Sequence, residues 1–464
     1  MNEKNAVGQE AIYDARTLGI PKMLVLGLQH LFAMFGATVL VPILVQGYGL
    51  PLSIQTTLFF AGVGTLFFHV CTRLKVPAFL GSSFAFLGGF YTMAHMSGGA
   101  YAAMEPAEKL QYACGGIVVA GLLYVLLAIA VKVVGVERVM HYLPPVVTGP
   151  IVILIGLNLA PSAVSNAQTC WWLALVSIGI IIAANIWGKG MIKIIPILLG
   201  VAGAYLVAVI ANLLGATAVV NGETVPLLDF SAIVSAQMVG FQPFVTDFAG
   251  SIAKFDLSAI LVMAPIAIAS MMEHIGDISA ISATVGDNFI YDPGLHRTLI
   301  GDGVATSLAA FFGGPSNTTY GENTGVLVLS KVYDPRVIRL AALYAVVLSF
   351  SPRFAAFVNS LPAAIVGGVS FILYGMISAI GVRNLVENRV DFTNSRNLII
   401  AAVILVSGLG FTDGLTFQLG GASITLTSLA IAAIVGIFLN AVLPGNDFQI
   451  GKSDSDDTAN LGKY

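Results

Sequence analysis

Apolar runs of about 20 residues, each long enough to cross a bilayer as a helix, follow one another from residue 23 to residue 443 with short polar stretches between them. The segments 112–134, 194–214 and 423–443 are uninterrupted. The segments 53–71, 142–164, 170–187, 338–358, 361–381 and 397–411 are also apolar enough to span. Four others, 23–45, 257–280, 298–313 and 316–334, carry polar residues at membrane depth, and 76–96 is broken by Pro, Gly and Ser. The pattern predicts an all-α polytopic membrane protein of about 14 transmembrane segments. Residues 1–20 are polar with no cleavable apolar core, so the first apolar segment is read as a span and not as a signal peptide.

Composition agrees. The 464 residues are 57% hydrophobic and 10% charged, where soluble domains carry about 25% charged residues. The positive-inside rule sets the orientation. With the N-terminus in the cytoplasm and sides alternating, all of the 21 Lys and Arg except Lys109, Lys254 and Arg353 fall on the cytoplasmic side. Omitting either 76–96 or 316–334 destroys that bias, so both are expected to cross. Cys71, Cys114 and Cys170 are scattered among apolar residues and form no metal-ligand spacing or disulfide framework.

The two halves echo each other: LPPVVTG at 143–149 and LPAAIVG at 361–367 each open the fifth span of a half, and 76–96 and 316–334 are each the third. An odd number of spans per half, about seven, requires two inverted repeats, and paired Pro/Gly-broken segments in such repeats point to a transporter's substrate site. Non-helical backbone at membrane depth is tolerated only where protein or a cavity surrounds it. In FFGGPSNTTYGENTGVLVLSK, residues 311–331, Pro315 and Gly321 interrupt the span and VLVLSKVY resumes it as a half-helix whose first N–H groups are free to meet acceptors. VPAFLGSSFAF, from Val76, is read the same way, with Ser82 and Ser83 as expected caps.

Four acids lie inside apolar segments: Glu273, Asp277, Asp302 and Glu322. An ionised side chain at the bilayer centre costs about 2.5–3.5 kcal/mol on the insertion scale, so such residues face a cavity or a partner. Glu273 and Asp277, four apart in IASMMEHIGDISA, share one helical face. Two carboxylates so placed titrate as a pair, the property a proton-coupled carrier needs. His274 points elsewhere on that helix and is read as a packed or hydrogen-bonded side chain. Half-helix N–H donors, two carboxylate acceptors and the Phe84 ring together complement a small planar lactam or imide.

The runs LQHLFAMFGATVLVPIL (28–44), VPAFLGSSFAF, EHIGD, DPGLHRTLIGDG (292–303) and PSNTTYGENTGV resemble the nucleobase–ascorbate transporter family, also called nucleobase:cation symporter-2, over essentially the whole chain. The resemblance implies two inverted seven-span repeats divided into core and gate domains, an elevator movement of core against gate, proton symport and a homodimer. It places a cytoplasmic tail at 1–22, core spans 1–4 at 23–135, gate spans 5–7 at 136–214 and an external loop at 215–256. Core spans 8–11 follow at 257–358, gate spans 12–14 at 359–443 and a second cytoplasmic tail at 444–464, in a bacterial inner membrane. The family's base-contacting acids correspond to Glu273 and Glu322. Phe84 and Gly321 correspond to positions whose backbone N–H reaches the base, and Ala37 and Tyr320 line the same neighbourhood. Gln29, His30, Ser83, Asn323 and Tyr374 match supporting positions. Glu273, Asp277, Asp302 and Glu322 are the proton-coupling candidates.

Where the family signature ends in Thr, Ser330-Lys331 stands here, which keeps the hydroxyl. Asp277 and Asp302 look more like the xanthine and urate members, whereas Glu322 before Asn323 is the choice that goes with uracil. Because Glu322 meets the base directly, uracil with H+ is the expected cargo and xanthine or urate the alternative. An anion exchanger of the same fold is the rival from another class. Its pocket gives no reason for paired acids, and such relatives carry a large C-terminal domain where only about 20 residues follow 423–443 here. No HExxH, Gly-rich phosphate loop after a strand or Ser/His/Asp set is present, so neither an enzyme nor a cofactor, metal or nucleic-acid partner is expected.

Overall fold

A computed structural model describes residues 11–96, 99–220, 223–240, 252–412, 414–419 and 422–445. Of the tails and loop expected from the sequence, 1–10, 446–464 and 241–251 lie outside the described residues. The main helices are α1 (Ile20–Gly47), α2 (Ile54–Cys71), α3 (Leu87–His95), α4 (Pro106–Val134), α5 (Val136–Tyr142), α6 (Pro145–Ala167), α7 (Trp171–Ile186) and α8 (Pro196–Leu213). They continue as α9 (Leu257–Met263), α10 (Ile266–Val285), α11 (Leu295–Phe311), α12 (Gly321–Ser330), α13 (Pro335–Ser349), α14 (Pro352–Asn359), α15 (Ala363–Glu387), α16 (Ser395–Gly410) and α17 (Ser428–Val442). Among the described residues seven helical stretches, α9 and α10 counting as one, are long and apolar enough to cross a bilayer, and eight if the bent pair α13–α14 is taken as one; α7, α16 and α17 are apolar but shorter. The chain is therefore a mostly helical, multi-pass membrane protein.

The segment 338–358, read from sequence as one straight span, turns by 89° between α13 and α14. Pro352 has no N–H to continue the first helix, and the Ser351 hydroxyl accepts from the Phe354 N–H at 3.3 Å to start a second one. Two hairpins lie outside the helices: β2 (Thr217–Val220) with β3 (Glu223–Pro226), inside the expected loop, and β5 (Leu415–Leu419) with β6 (Ala422–Leu426), which the apolar pattern does not reveal.

Packing falls into two groups. In one, α4 lies along α11, α11 and α13 both lie along α2, and α1 packs on α13. In the other, α6 lies along α15, α15 along α7, α7 along α8, and α16 along both α6 and α17. Close approach depends on small residues, as is usual where helices pack without water to expel. A Cβ on Gly303 would collide with the Tyr124 side chain of α4, and one on Gly121 with the Gly303 carbonyl of α11. Gly149 and Gly381 do the same for α6 and α15.

Between these helices lies a third, very short sheet, β1 (Leu80–Ser82) with β4 (Asn317–Thr319), antiparallel, pairing Leu80 with Thr319, Gly81 with Thr318 and Ser82 with Asn317. A Cβ on Gly81 would run into the Tyr320 ring and Thr38, so only glycine lets that ring lie over the strand. At the other end of the protein, a segment before α1 ties the ends of α10, α12 and α13 together. Ile12 donates to the Lys331 carbonyl (2.9 Å) and accepts from the Tyr333 N–H (2.8 Å), the Tyr13 hydroxyl donates to Val285 O (2.9 Å), and the Ala15 N–H donates to Asp334 (2.8 Å). In that exposed strap the Arg16 guanidinium, 2.6 Å away, holds the Asp14 carboxyl down at about 2.

Replacing Gly303 by Val should cost about 1–3 kcal/mol through overpacking of the α4–α11 contact. Gly179→Ala, where a Cβ meets nothing within 4 Å, should leave the protein as stable as the parent or slightly more so. Thermal melting in detergent reads both, and equal melting temperatures for the two variants would contradict the packing assignment.

Candidate functional site

The β1–β4 pair is where the site begins. Unpaired backbone groups in the membrane interior cost several kcal/mol each, so a two-stranded ladder needs partners for its outer edges. Thr65 of α2 supplies them for β1: its hydroxyl accepts from the Leu80 N–H at 2.8 Å and donates to its own helix at Ala61 O, 2.7 Å away. Thr306 of α11 plays the same part for β4, accepting from the Asn317 N–H and lying 3.1 Å from the Asn317 carbonyl. The ladder continues past the strands, with the Ser83 N–H donating to Ser316 O (2.9 Å) and the Tyr320 N–H to Phe79 O (3.0 Å).

A helix leaves each strand at this crossing. After β1 a turn at Phe84–Phe86 leads into α3, and after β4 the chain enters α12 at Gly321, with Tyr320 as its N-cap residue. The N–H groups of a first helical turn have no partner in their own helix. Ser82 and Ser83 do not cap in the way the sequence suggested. The Ser82 hydroxyl instead donates to Thr38 O of α1 (2.9 Å) and that of Ser83 lies 3.4 Å from the Ser270 hydroxyl of α10. Neither Ser83 nor Tyr320 makes a side-chain cap to its following helix; in the first turn of α12 the Glu322 carboxylate accepts from its own backbone N–H. The Tyr320 hydroxyl donates to Ser82 O at 2.8 Å, locking the two strands' ends across the ladder.

Helix α10 brings the acids to this point. Asp277 accepts a 2.8 Å hydrogen bond from the Thr319 hydroxyl, at the end of β4. A Cβ on Gly321 would stand 3.7 Å from Asp277 Oδ1, so the start of α12 and the side of α10 are in near contact. Glu273, one turn away, is within electrostatic reach of Asp277, Glu322 and Asp302, and its Oε2 has no hydrogen-bond partner among the described residues. Glu273, Asp277 and Glu322 are therefore gathered around the strand crossing, beside Phe84, Gly321 and Tyr320.

Other candidates lie behind this group. Asp302 of α11 is fully buried with its Oδ2 2.9 Å from Nδ1 of His274, also fully buried; the spacing is that of an ion pair, although the ring N–H does not line up for a hydrogen bond. The partner of Asp302 is thus the histidine that the sequence pattern reads as packed. His30 of α1 meets Asn323 of α12: the amide nitrogen of Asn323 donates to His30 O at 3.1 Å and lies 3.2 Å from its Nδ1. These two hold α1 against α12. Ala37 is buried on α1 and Gln29 is half-buried there. Tyr374 of α15 faces the site from the other packing group, its ring edge-on to Phe84 with centroids 6.1 Å apart.

Thr65, Thr306, Thr319 and Ser270 were not singled out from the sequence. Nothing in the local pattern separates them from the other hydroxyls in and beside the apolar runs.

A cavity of about 1550 Å³ approaches from the end of the fold where α1 finishes and α4 begins. It is lined by both packing groups and reaches Phe84, Ala85 and Ile266; Glu273, Asp277 and Glu322 are not among its lining residues.

Residues 21–416 match the family model Xan_ur_permease, described as a permease family. The chain is 40% identical over 458 residues to the uracil permease of Bacillus caldolyticus, covering 96% of this chain and 98% of that one. To the uracil permease of Bacillus subtilis (strain 168) it is 39% identical over 430 residues, 90% of this chain and 91% of that one. Among solved structures, the transmembrane domain of a cyanobacterium bicarbonate transporter, BicA, superposes with a TM-score of 0.60 at 14% identity over 93% of this chain and 99% of that domain, a likeness of fold. The chain belongs to this permease family, the nucleobase–ascorbate transporters, and is a transporter of a bacterial membrane and not an enzyme.

The Thr319–Asp277 contact makes a test of the geometry. Thr319→Val removes the donor to a buried carboxylate, worth about 1.5–3 kcal/mol, and should lower the melting temperature, whereas Thr319→Ser should not. In a double-mutant cycle with Asp277→Asn the loss in the double variant should fall short of the sum of the two single losses. Strict additivity would mean that the two side chains do not interact.

Proposed function

We propose that this member of the permease family takes up uracil together with protons. The observation that carries the reading is the meeting of three carboxylates, two uncapped helix starts and an aromatic ring at one buried point. Full-length similarity to proteins named uracil permeases supports the choice of cargo. Uracil offers two N–H donors and two carbonyl acceptors on one flat ring. Its N–H groups donate to Glu273 and Glu322, the backbone N–H groups of Phe84 and Gly321 hold its carbonyl oxygens, and the Phe84 ring packs on its face. Each polar atom buried without a partner costs about 1–3 kcal/mol, so rings that misplace one donor are rejected.

Asp277 sits beside this contact shell as the second carboxylate of the pair on α10, and Asp302 with His274 behind it; with Glu273 and Glu322 they share the coupled proton. Ala37 and Tyr320 shape the pocket. Ser83 positions the Phe84 turn through Ser270, and His30, Asn323 and Gln29 brace α1 against α12. Tyr374 closes the pocket from the facing group. A proton arriving from outside lowers the charge that must cross, and the membrane potential adds about 2.3 kcal/mol per charge per 100 mV, enough for useful accumulation with one proton.

The two packing groups are then the moving parts: a core of residues 23–135 and 257–358 and a gate of 136–214 and 359–443, with the core carrying the site past the gate. About 14 crossings in two inverted seven-span halves, with interrupted third and tenth spans, accommodate this division. The matching parts played by Thr65 and Thr306 support the pairing of halves. Both termini lie in the cytoplasm, the membrane is the inner one, and two copies form a homodimer. Paired acids in the pocket repel anions, which argues against anion exchange despite the shared fold.

Labelled uracil should accumulate in cells lacking their own permease, collapse with a protonophore and resist excess unlabelled xanthine. Strong competition by xanthine would transfer the assignment to a purine carrier, on the strength of Asp277 and Asp302. Glu322→Gln, which keeps the shape and loses the ionisable group, should cut proton-driven accumulation at least about tenfold, the effect of losing one charged hydrogen bond. Accumulation at the parental level would remove Glu322 from the coupling group.

A further inference from the structure

The cavity that stops short of the acids carries chemistry of its own. At about 1550 Å³ it exceeds the roughly 300–1,000 Å³ of a typical small-molecule pocket, and it has an aromatic corner. Tyr91 and His95, one turn apart on α3, lie ring over ring with centroids 4.2 Å apart and planes tilted by 33°. Tyr48, at the end of α1, stands edge-on to Tyr91 at 5.4 Å and 89°. All three line the cavity, and Tyr91 is 52% exposed.

The polar groups around this corner can meet the edge of a flat heterocycle. His95 Nδ1 lies 2.9 Å from the Tyr91 carbonyl, which can only accept, so in the neutral ring Nδ1 carries the hydrogen and Nε2 is left as an acceptor. On the facing helix α6, which also lines the cavity, Asn158 spends one amide N–H on the Ser428 hydroxyl (3.1 Å) and keeps the other together with its oxygen, while the Ser162 hydroxyl donates to the Leu159 carbonyl (2.7 Å) and is within hydrogen-bond reach of Tyr48 and Tyr374.

We propose that this corner is an outer binding site for a flat, N–H-bearing heterocycle, where cargo stacks on Tyr91 and His95 before it reaches the acids. The proposal rests on the nucleobase reading of the inner site and names a second place for the same class of ligand. Stacking on an aromatic side chain tolerates any flat base and is worth about tenfold or more in affinity, and the His95 Nε2 acceptor with the Asn158 amide opposite can meet the N–H and C=O groups of such a ring. Capture here raises the concentration of ligand at the inner site's threshold, so it acts on the rate of loading and not on the final affinity.

The test pairs transport kinetics with equilibrium binding on the full-length protein. Tyr91→Ala combined with His95→Ala should raise the KM for uracil uptake about tenfold, the loss of one stacking contact. Vmax and the affinity of purified protein for labelled uracil should stay within about twofold, and Tyr91→Phe alone should keep the parental KM, because the stacking face remains. His95→Gln, an exposed single change, should give a smaller rise of the same kind if the double variant does not accumulate in the membrane. An unchanged KM in both His95→Gln and any expressed double variant would overturn the outer site and leave the rings as interfacial anchors. A KM that rises with an equal loss of equilibrium affinity would also overturn it, by assigning these residues to the inner site. If uracil is bound and carried normally by parent and variants alike, only the outer site fails. If the parent neither binds nor carries uracil, the substrate reading fails and the outer site with it.

Discussion

A β-ladder of three residue pairs inside a helical membrane protein can exist only if something other than water satisfies its edges. That requirement governs the middle of this structure. Leu80 on one strand and Asn317 on the other are each bonded to a threonine of a neighbouring helix, Thr65 and Thr306, and the ladder is prolonged through Ser83–Ser316 and Tyr320–Phe79. With its backbone groups paired in this way, the chain can stop being helical at membrane depth. The gain is positional. Two helices begin at the crossing, and neither is capped by the side chain of the residue before it.

The acids follow from the same arrangement. Asp277 reaches the ladder through Thr319, and the start of α12 lies against the side of α10, which brings Glu322 within electrostatic reach of Glu273. Charged groups this far from water persist only with partners. For Asp302 the partner is His274 and for Asp277 it is Thr319, whereas an oxygen of Glu273 has none among the described residues. That oxygen lies beside two helix starts that no N-cap side chain covers. The outer cavity ends at Phe84, whose ring also meets Tyr374 from the other packing group, so the same aromatic pair stands between the approach and the acids.

Much of this could be read in the sequence where the signal is local. Pro77, Pro315 and Gly321 stand beside the short strands at 80–82 and 317–319, and the spacing of Glu273 and Asp277 put them on one face, because helix geometry turns a spacing of four into a shared side. What escaped depended on partners far along the chain. Thr65 and Thr306 have no periodicity that separates them from any other threonine in an apolar helix, and their role appears only when the strands arrive. Ser82 and Ser83 looked like caps by local pattern, yet their hydroxyls are taken by Thr38 and Ser270, more than 40 residues away in each case. His274 looked inert until α11 brought Asp302 to it. The turn at Ser351–Pro352 and the hairpin at 415–426 were missed for a different reason: a hydropathy window averages over a proline and over short strands alike.

The most direct measurement is an experimental structure of the protein saturated with uracil. Planar density between Glu273 and Glu322, with its carbonyl oxygens within hydrogen-bonding distance of the Phe84 and Gly321 N–H groups, is the predicted result. Uracil bound elsewhere, with the strand crossing unoccupied and its acids paired to each other or to the protein, would contradict the central claim that the ladder exists to present those donors to a nucleobase.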